Sequence, residues 1–155
     1  MKRDEELFEE DYQKYSPLVF RIAYSYVKNY DDCQDLMQEV FYRLLYKAPK
    51  FKSEEHKKCW LIRITINICK DYHKSFWNSM TEKLDGNTQD FDYSQQENII
   101  GYVQVLPNQY KEIILLYYLC GYSIKEIAEI LRLGESAVKM RLSRARKYLR
   151  IQMEE

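Results

Sequence analysis

Apolar positions along most of the chain recur every three or four residues, which is the spacing of amphipathic α-helices. Ser16 followed by Pro17 predicts the start of a first helix, with a cap and a proline in the first turn. Asp31 is the predicted cap of a second helix that ends before Pro49, and Ser53 is the predicted cap of a third. The first half of the chain therefore predicts a bundle of helices.

The periodic pattern lapses between residues 78 and 97, where the sequence is polar, acidic and aperiodic. We expect this stretch to be a flexible linker rather than a long loop within one domain, because amphipathic helices resume on both sides. Beyond it, Ser123 and Glu126 match the capping-box pattern. That helix and a last helix over residues 136–150 are joined by a short turn with Gly134, which indicates a helix-turn-helix unit.

The predicted fold is all-α, with two small helical domains over residues 1–77 and 98–155 and the linker over residues 78–97 between them. Four glycines and three prolines in 155 residues favour long helices over a loop-rich β protein. The uncharged runs are too short to insert into a membrane, and the acidic start does not resemble a secretory leader. We therefore expect a cytoplasmic protein.

The net charge is zero, but the charge is unevenly distributed along the chain. Residues 47–76 carry eight basic and three acidic side chains, and residues 136–155 carry six basic and two acidic ones. The stretches before and between these two blocks are acidic. Two separated basic blocks are typical of a protein with two polyanion contacts, and equally of solvated helix faces.

The last helix has one apolar face and one basic face. Six of the fifteen residues from 136 to 150 are basic and none is acidic. The predicted core face consists of Val138, Leu142, Ala145 and Leu149. Lys139, Met140, Ser143, Arg144 and Lys147 lie opposite, where they suit the DNA major groove. Arg141 and Arg146, on the shoulders, either reach phosphates or pair with Glu126 or Glu129.

The second and third helices differ in their exposed chemistry. The second presents acidic and amide side chains, which repel DNA and are either solvated or dock on a protein. The third combines lysines and an arginine with Trp60 and Trp77, and this combination suits stacking on unpaired bases. Composition alone, however, favours Trp60 as a core residue and Trp77 as an anchor of the linker.

The sequence offers no catalytic or cofactor motif. The four cysteines have no C-x-x-C pair, and Cys69 with His73 is the single hint of a metal site, without a third ligand. Buried structural thiols are the expected role of the cysteines. We expect no enzyme, no cofactor and no metal.

Taken in order, these segments resemble the extracytoplasmic-function (ECF) sigma factors of bacterial RNA polymerase. Residues 15–23 and 31–41 resemble the family's regions 2.1–2.2, residues 60–67 its regions 2.3–2.4, and residues 106–150 its region 4. The alternative is a free-standing dimeric helix-turn-helix regulator, which would bind two DNA half-sites about one helical turn apart without polymerase.

The resemblance implies roles for individual residues. Asp35, Gln38 and Glu39 are expected to dock on the polymerase core, at the β′ clamp helices, with further contacts to β. The loop and helix over residues 51–70 are expected to capture a flipped base of the minus-10 element, with contacts from Lys57, Lys58, Trp60, Arg63, Asn67 and Lys70. The last helix is expected to read the minus-35 element through Ala137, Lys139, Met140, Ser143, Arg144 and Lys147. An anti-sigma factor is an expected further partner.

One departure from the family pattern concerns the turn of the helix-turn-helix. Its usual glycine is Arg132 here, with Gly134 two positions later. A non-glycine residue in a left-handed turn is strained by about 1 kcal/mol. We therefore expect an altered turn at this point.

A second departure concerns DNA melting. Trp60 is followed by Leu61 rather than by a second tryptophan, so DNA melting is expected to use fewer aromatic residues.

Overall fold

The structure, a computed structural model, describes the backbone of residues 4–79 and 98–154 and the side chains of residues 4–72 and 99–150. All regular elements in these ranges are helical, which confirms the predicted all-α class. The chain divides into two compact units between residues 90 and 91. Apart from its first two positions, the predicted linker lies outside the described residues.

Within the described residues, the first unit contains three helices, and the second contains four helices and one π-helical segment. The first contains α1 (Glu5–Val27), α2 (Tyr30–Lys47) and α3 (Glu54–Ser79). The second contains α4 (Asn98–Val103), α5 (Asn108–Ile114), which continues into a π-helical segment (Leu115–Leu119), α6 (Ile124–Leu131) and α7 (Glu135–Glu154).

Helix α1 starts at Glu5, twelve residues before the predicted first helical position at Pro17, so the prediction of a start at Ser16 and Pro17 was wrong. The cap is Asp4, whose carboxylate accepts hydrogen bonds from the backbone N–H groups of Glu6 and Leu7. Pro17 lies inside the helix. Proline removes one helical hydrogen bond, and the helix continues through it because tertiary contacts hold the turns on its N-terminal side.

The start of α2 also differs slightly from the prediction, because Asn29 rather than Asp31 is the cap. The start of α3 is as predicted, since the Ser53 hydroxyl accepts a hydrogen bond from the His56 backbone N–H at 3.0 Å. The three helices enclose an apolar core, in which the largest fully buried side chains are Val19, Ile22, Leu44, Leu61 and Ile62.

Cys33 is part of this core and is fully buried. Its thiol donates a hydrogen bond to the Phe20 carbonyl oxygen at 3.3 Å. Burial raises the pKa of the Cys33 thiol to about 12. This cysteine is therefore a structural thiol, as its sequence context predicted.

In the second unit, α6 starts with the predicted capping box. Ser123 and Glu126 exchange two hydrogen bonds, from the Glu126 backbone N–H to the Ser123 hydroxyl at 3.1 Å and from the Ser123 backbone N–H to the Glu126 carboxylate at 3.0 Å. Helix α6 ends at Arg132, which has φ +56° and ψ +47°. The turn to α7 therefore places an arginine in the left-handed conformation, where glycine would be unstrained.

Candidate nucleic-acid interface

Helix α7 separates a buried apolar face from an exposed polar face. Val138, Leu142, Ala145 and Leu149 are buried, which confirms the predicted core face. The five residues predicted opposite them are all exposed: Lys139, Met140, Ser143, Arg144 and Lys147. Ala137 is half-buried beside this face. The result is an exposed, positively charged helical surface, which we call the basic face of α7.

Arg146 lies on the shoulder of α7 and is half-buried. Its Nε donates a hydrogen bond to the Tyr118 hydroxyl oxygen at 2.9 Å, and its guanidinium lies 5.3 Å and 5.8 Å from the ring centres of Tyr117 and Tyr118. The hydrogen bond to Tyr118 is the main reason that the pKa of Arg146 is raised. The partners expected from the sequence were DNA phosphates or the glutamates of α6, whereas the observed partners are these two tyrosines.

The loop between α2 and α3 is fastened to the start of α3 by aromatic and polar contacts. Phe51 meets Trp60 edge to face, with ring centres 5.5 Å apart, and meets His56 at 5.4 Å. The Lys52 backbone N–H donates to Nδ1 of His56 at 3.1 Å. His56, in the first turn of α3, therefore accepts through Nδ1 and fastens the loop to the helix.

This loop borders a cavity of about 580 Å³ in the first unit. The loop contributes Phe51 and two lysines to its lining, and leucine, alanine and proline side chains make up much of the rest. The lining residues are Leu7, Leu44, Leu45, Ala48, Pro49, Lys50, Phe51, Lys52, Ser53, Glu54 and Lys57. Its volume lies in the range of small-molecule pockets.

A network of ion pairs joins α1 to the start of α3 beside this cavity. Lys57 Nζ donates to Asp11 Oδ1 and to Glu54 Oε1, each at 2.9 Å. The side chains of Lys57 and Asp11 are 9% and 6% exposed. The Tyr15 hydroxyl donates to Glu54 Oε2 at 2.6 Å, and Lys14 Nζ lies 3.2 Å from the same oxygen.

The network changes the role expected of Lys57. Burial lowers the pKa of its ammonium, but the hydrogen bonds with Asp11 and Glu54 outweigh burial and raise it, so Lys57 stays charged. A cation held by two internal carboxylates does not point at a DNA phosphate. The geometry therefore does not favour the predicted minus-10 contact of Lys57, because its charge is neutralised within the fold.

The other residues expected at the minus-10 element lie along α3. Trp60, Arg63, Asn67 and Lys70 follow one another at three- and four-residue spacing and so share one side of the helix. Arg63 and Asn67 are exposed, whereas Trp60 and Lys70 are half-buried. Lys58 is half-buried and lies off this side.

The acidic side of α2 is exposed as predicted. Asp35, Gln38 and Glu39 are all exposed, and the Glu39 carboxylate pairs with the Arg43 guanidinium at 2.9 Å one turn later. Asp32 is different, because it forms a hydrogen bond with Tyr72 of α3. Burial and then this hydrogen bond raise the pKa of Tyr72.

Comparison with known families assigns both units. The family model of sigma-70 region 2 matches residues 11–78, and that of sigma-70 region 4 matches residues 96–149. The chain is 31% identical over 140 residues to the RNA polymerase sigma factor SigV of Bacillus subtilis (strain 168), covering 86% of this chain and 83% of that protein.

The chain belongs to the ECF sigma factors of RNA polymerase. It is also 30% identical over 151 residues to the ECF sigma factor SigM of Bacillus subtilis (strain 168), covering 92% of both chains. Its fold is similar to that of the sigma factor RpoE in a complex with the anti-sigma factor NepR from Bartonella quintana. That similarity has a TM-score of 0.61 and 20% identity, over 95% of this chain and 96% of the other.

Membership in the ECF sigma factors confirms the function that the sequence predicted, which is to direct RNA polymerase to promoters in transcription initiation. The alternative of a free-standing dimeric regulator is not favoured, because region 2 and region 4 occur together in family order. None of the helices in residues 4–79 and 98–154 combines the length and apolar character that a bilayer crossing requires. Within those ranges, no three His, Cys, Asp or Glu side chains come together as metal ligands.

Proposed function

We propose that this ECF sigma factor is a non-catalytic specificity subunit that acts in the cytoplasm and holds a promoter at two places while it is bound to core polymerase. The proposed domains are residues 1–77 and 98–155, joined by a linker over residues 78–97. The observation that carries the proposal is the pairing of a one-signed basic helix face in one unit with an acidic helix face in the other. Tethering two weak DNA contacts raises their combined affinity through effective concentration.

For the minus-35 element, the proposed reader is the basic face of α7. Lys139, Arg144 and Lys147 are exposed on it, and Met140 is 49% exposed beside them. An α-helix fits the major groove, where arginine and lysine recognise guanine and the neighbouring phosphates. Ala137 and Ser143 complete the proposed contact set.

For the minus-10 element, the proposed reader is the cavity beside the α2–α3 loop, together with the exposed side of α3. An unpaired base would enter the cavity next to Phe51, while Arg63 and Asn67 remain exposed for the DNA strand. Lys58, Trp60 and Lys70 complete the proposed set. Stabilising an extruded base by a few kcal/mol favours strand opening.

For the polymerase, the proposed docking surface is the acidic side of α2. Asp35, Gln38 and Glu39 are exposed there, and acidic side chains do not suit DNA. We propose that this surface binds the β′ clamp helices and that the β subunit provides further contacts. An anti-sigma factor is a proposed regulatory partner, supported by the similarity to a sigma factor crystallised with one.

Run-off transcription with core polymerase and a genomic promoter library tests the proposal. We expect discrete transcripts that require both the chain and core polymerase, and the transcribed promoters will share two spaced elements. Specific DNA protection by the chain alone, with no transcripts after core polymerase is added, would refute it.

A further inference from the structure

Arg146 differs from the basic residues on the basic face of α7. Lys139, Arg144 and Lys147 are exposed, whereas Arg146 is half-buried and holds a hydrogen bond and two ring contacts within its own unit. The Nε–H group of Arg146 thus donates within its own unit, and its guanidinium charge interacts with two tyrosine rings there.

The two tyrosines that hold Arg146 come from the π-helical segment (Leu115–Leu119) at the end of α5. A π-helical turn is wider than an α-helical one, so consecutive side chains diverge by less than the roughly 100° of an α-helix. The rings of Tyr117 and Tyr118 lie 5.0 Å apart at 76°, and both flank the same guanidinium. The irregular segment thus brings two successive residues to one cation.

We infer that Tyr118 and Arg146 form a positioning pair that fixes the orientation of α7 for reading the minus-35 element, and that Arg146 does not neutralise a DNA phosphate. This inference rests on the proposed function. Arg146 lies one turn from Ser143 and two turns from Lys139 on nearly the same side of α7. A roll of α7 after loss of the pair would move both residues relative to the base edges.

A positioning role and a phosphate contact are distinguished by the salt dependence and the base preference of DNA binding. A cation that meets a phosphate releases a counterion, and its loss reduces the slope of log K against log salt by about 0.9. Loss of a positioning pair leaves that slope unchanged, because the same phosphates are still met. It lowers instead the preference for the correct bases, since base contacts require accurate placement.

The test uses holoenzyme, assembled from core polymerase and the full chain, on two duplexes: the promoter found by run-off transcription and the same promoter with a scrambled minus-35 element. Affinities are measured at several salt concentrations. We expect Tyr118→Phe and Arg146→Lys each to lower the affinity ratio of the two duplexes roughly threefold to tenfold, with the wild-type salt slope. Lysine keeps the charge but lacks the Nε donor. A wild-type affinity ratio in the Arg146→Lys variant would therefore overturn the inference.

Two control variants complete the design. Lys147→Gln removes an exposed cation from the same helix and is expected to lower the slope by about 0.9. Tyr148→Phe removes a hydroxyl from the ring that packs on Tyr110, and we expect the wild-type ratio and slope.

Three further results would overturn the inference: a slope lowered by about 0.9 in Arg146→Gln, a wild-type ratio in Tyr118→Phe, or an effect of Tyr148→Phe equal to that of Tyr118→Phe. If Arg146→Gln does not fold, the inference is tested by Tyr118→Phe, because this variant keeps the aromatic ring. If wild-type holoenzyme binds both duplexes equally, the proposed minus-35 function itself fails, which is a distinct outcome.

Discussion

The Tyr15 hydroxyl of α1 donates a 2.6 Å hydrogen bond to the Glu54 carboxylate at the start of α3, 39 residues later in the chain. Glu54 also accepts from Lys57 and lies 3.2 Å from Lys14. One carboxylate thus joins the N-terminal half of α1 to the helix whose start borders the cavity. This contact makes the stability of the first unit depend on pH.

The first prediction concerns acid. The hydrogen bonds from Tyr15, Lys57 and Lys14, in this order of importance, lower the pKa of Glu54 to about 2. The unfolded value is about 4.3. The stabilisation by Glu54 is therefore complete above about pH 4.3 and is lost as the pH falls towards 2.

We expect Glu54→Gln to lower the free energy of unfolding at pH 7 and to flatten its decline between pH 4.3 and 2. Since the Glu54 side chain is 58% exposed, solvent screening keeps the loss to about 1 kcal/mol. Urea unfolding followed by tryptophan fluorescence measures it, because Trp60 and Trp77 both belong to the first unit. The control is Glu55→Gln at the exposed neighbour. Equal acid profiles for the two variants would contradict the assignment.

The second prediction concerns the buried pair of Lys57 and Asp11. Lys57→Met leaves the Asp11 carboxylate buried without its cation, and we expect a loss of about 3 kcal/mol in the free energy of unfolding. Adding Asp11→Asn should recover much of this loss, because the uncompensated charge disappears. Lys58→Met, at the half-buried neighbour, is the matched control. Purely additive effects of the two substitutions would show that the residues are not coupled.

The third prediction concerns the left-handed turn after α6. Arg132→Gly relieves the strain of φ +56° but adds freedom to the unfolded chain, so we expect a net stabilisation of about 0.5 kcal/mol. Gly121→Ala is the opposite case, because φ is +74° there and no atom lies within 4 Å of an added Cβ. It should destabilise by about 1 kcal/mol through the backbone alone. Thermal melting by circular dichroism measures both, and a destabilising Arg132→Gly would contradict the strain argument.

The fourth prediction concerns base reading by α7. Arg144→Ala should cost roughly 1–3 kcal/mol of discrimination at one position of the minus-35 element if the guanidinium contacts a guanine in two places. Holoenzyme binding to single-base variants of the element measures this. Lys125→Gln, at an exposed cation of α6, controls for loss of charge. Unchanged minus-35 selectivity in Arg144→Ala would count against the basic face as the reader.

The fifth prediction concerns polymerase docking. Reversing the charges of Asp35 and Glu39 to lysine should weaken core binding by about tenfold or more, since close charge pairs at interfaces are strongly coupled. The same reversal at Glu9 and Glu10, which are exposed on α1, is the control. Titration of labelled core polymerase measures both affinities. Intact holoenzyme assembly by the Asp35 and Glu39 variant would refute the docking surface.

Local patterns in the sequence were sufficient to predict several features of the structure. The capping box of Ser123 and Glu126 and the buried wedge from Val138 to Leu149 follow from contacts within a few residues, and the structure contains both. The exposed acidic side of α2 follows for the same reason, because helical periodicity fixes which side chains share a face.

Elements that depend on distant contacts were not predictable in this way. Ser16 and Pro17 matched a helix start, but Asp11 and Tyr15 find partners at the start of α3, and these partners extend α1 towards the N-terminus. The same reason applies to Lys57, because Asp11, one of the two carboxylates that hold it, is 46 residues away in the chain. Helix propensity and local sequence patterns carry no information on partners that are distant in the chain.

Burial of Cys33 has a consequence for how the first unit can be observed. Peroxide and alkylating reagents are attacked by the thiolate. A thiol that is closed off from solvent and has a pKa of about 12 provides almost no thiolate at neutral pH. Chemical modification of this atom must therefore wait until α1 and α2 separate. The rate at which Cys33 is modified, followed by mass spectrometry, therefore measures how often the first unit opens, and no added label is needed.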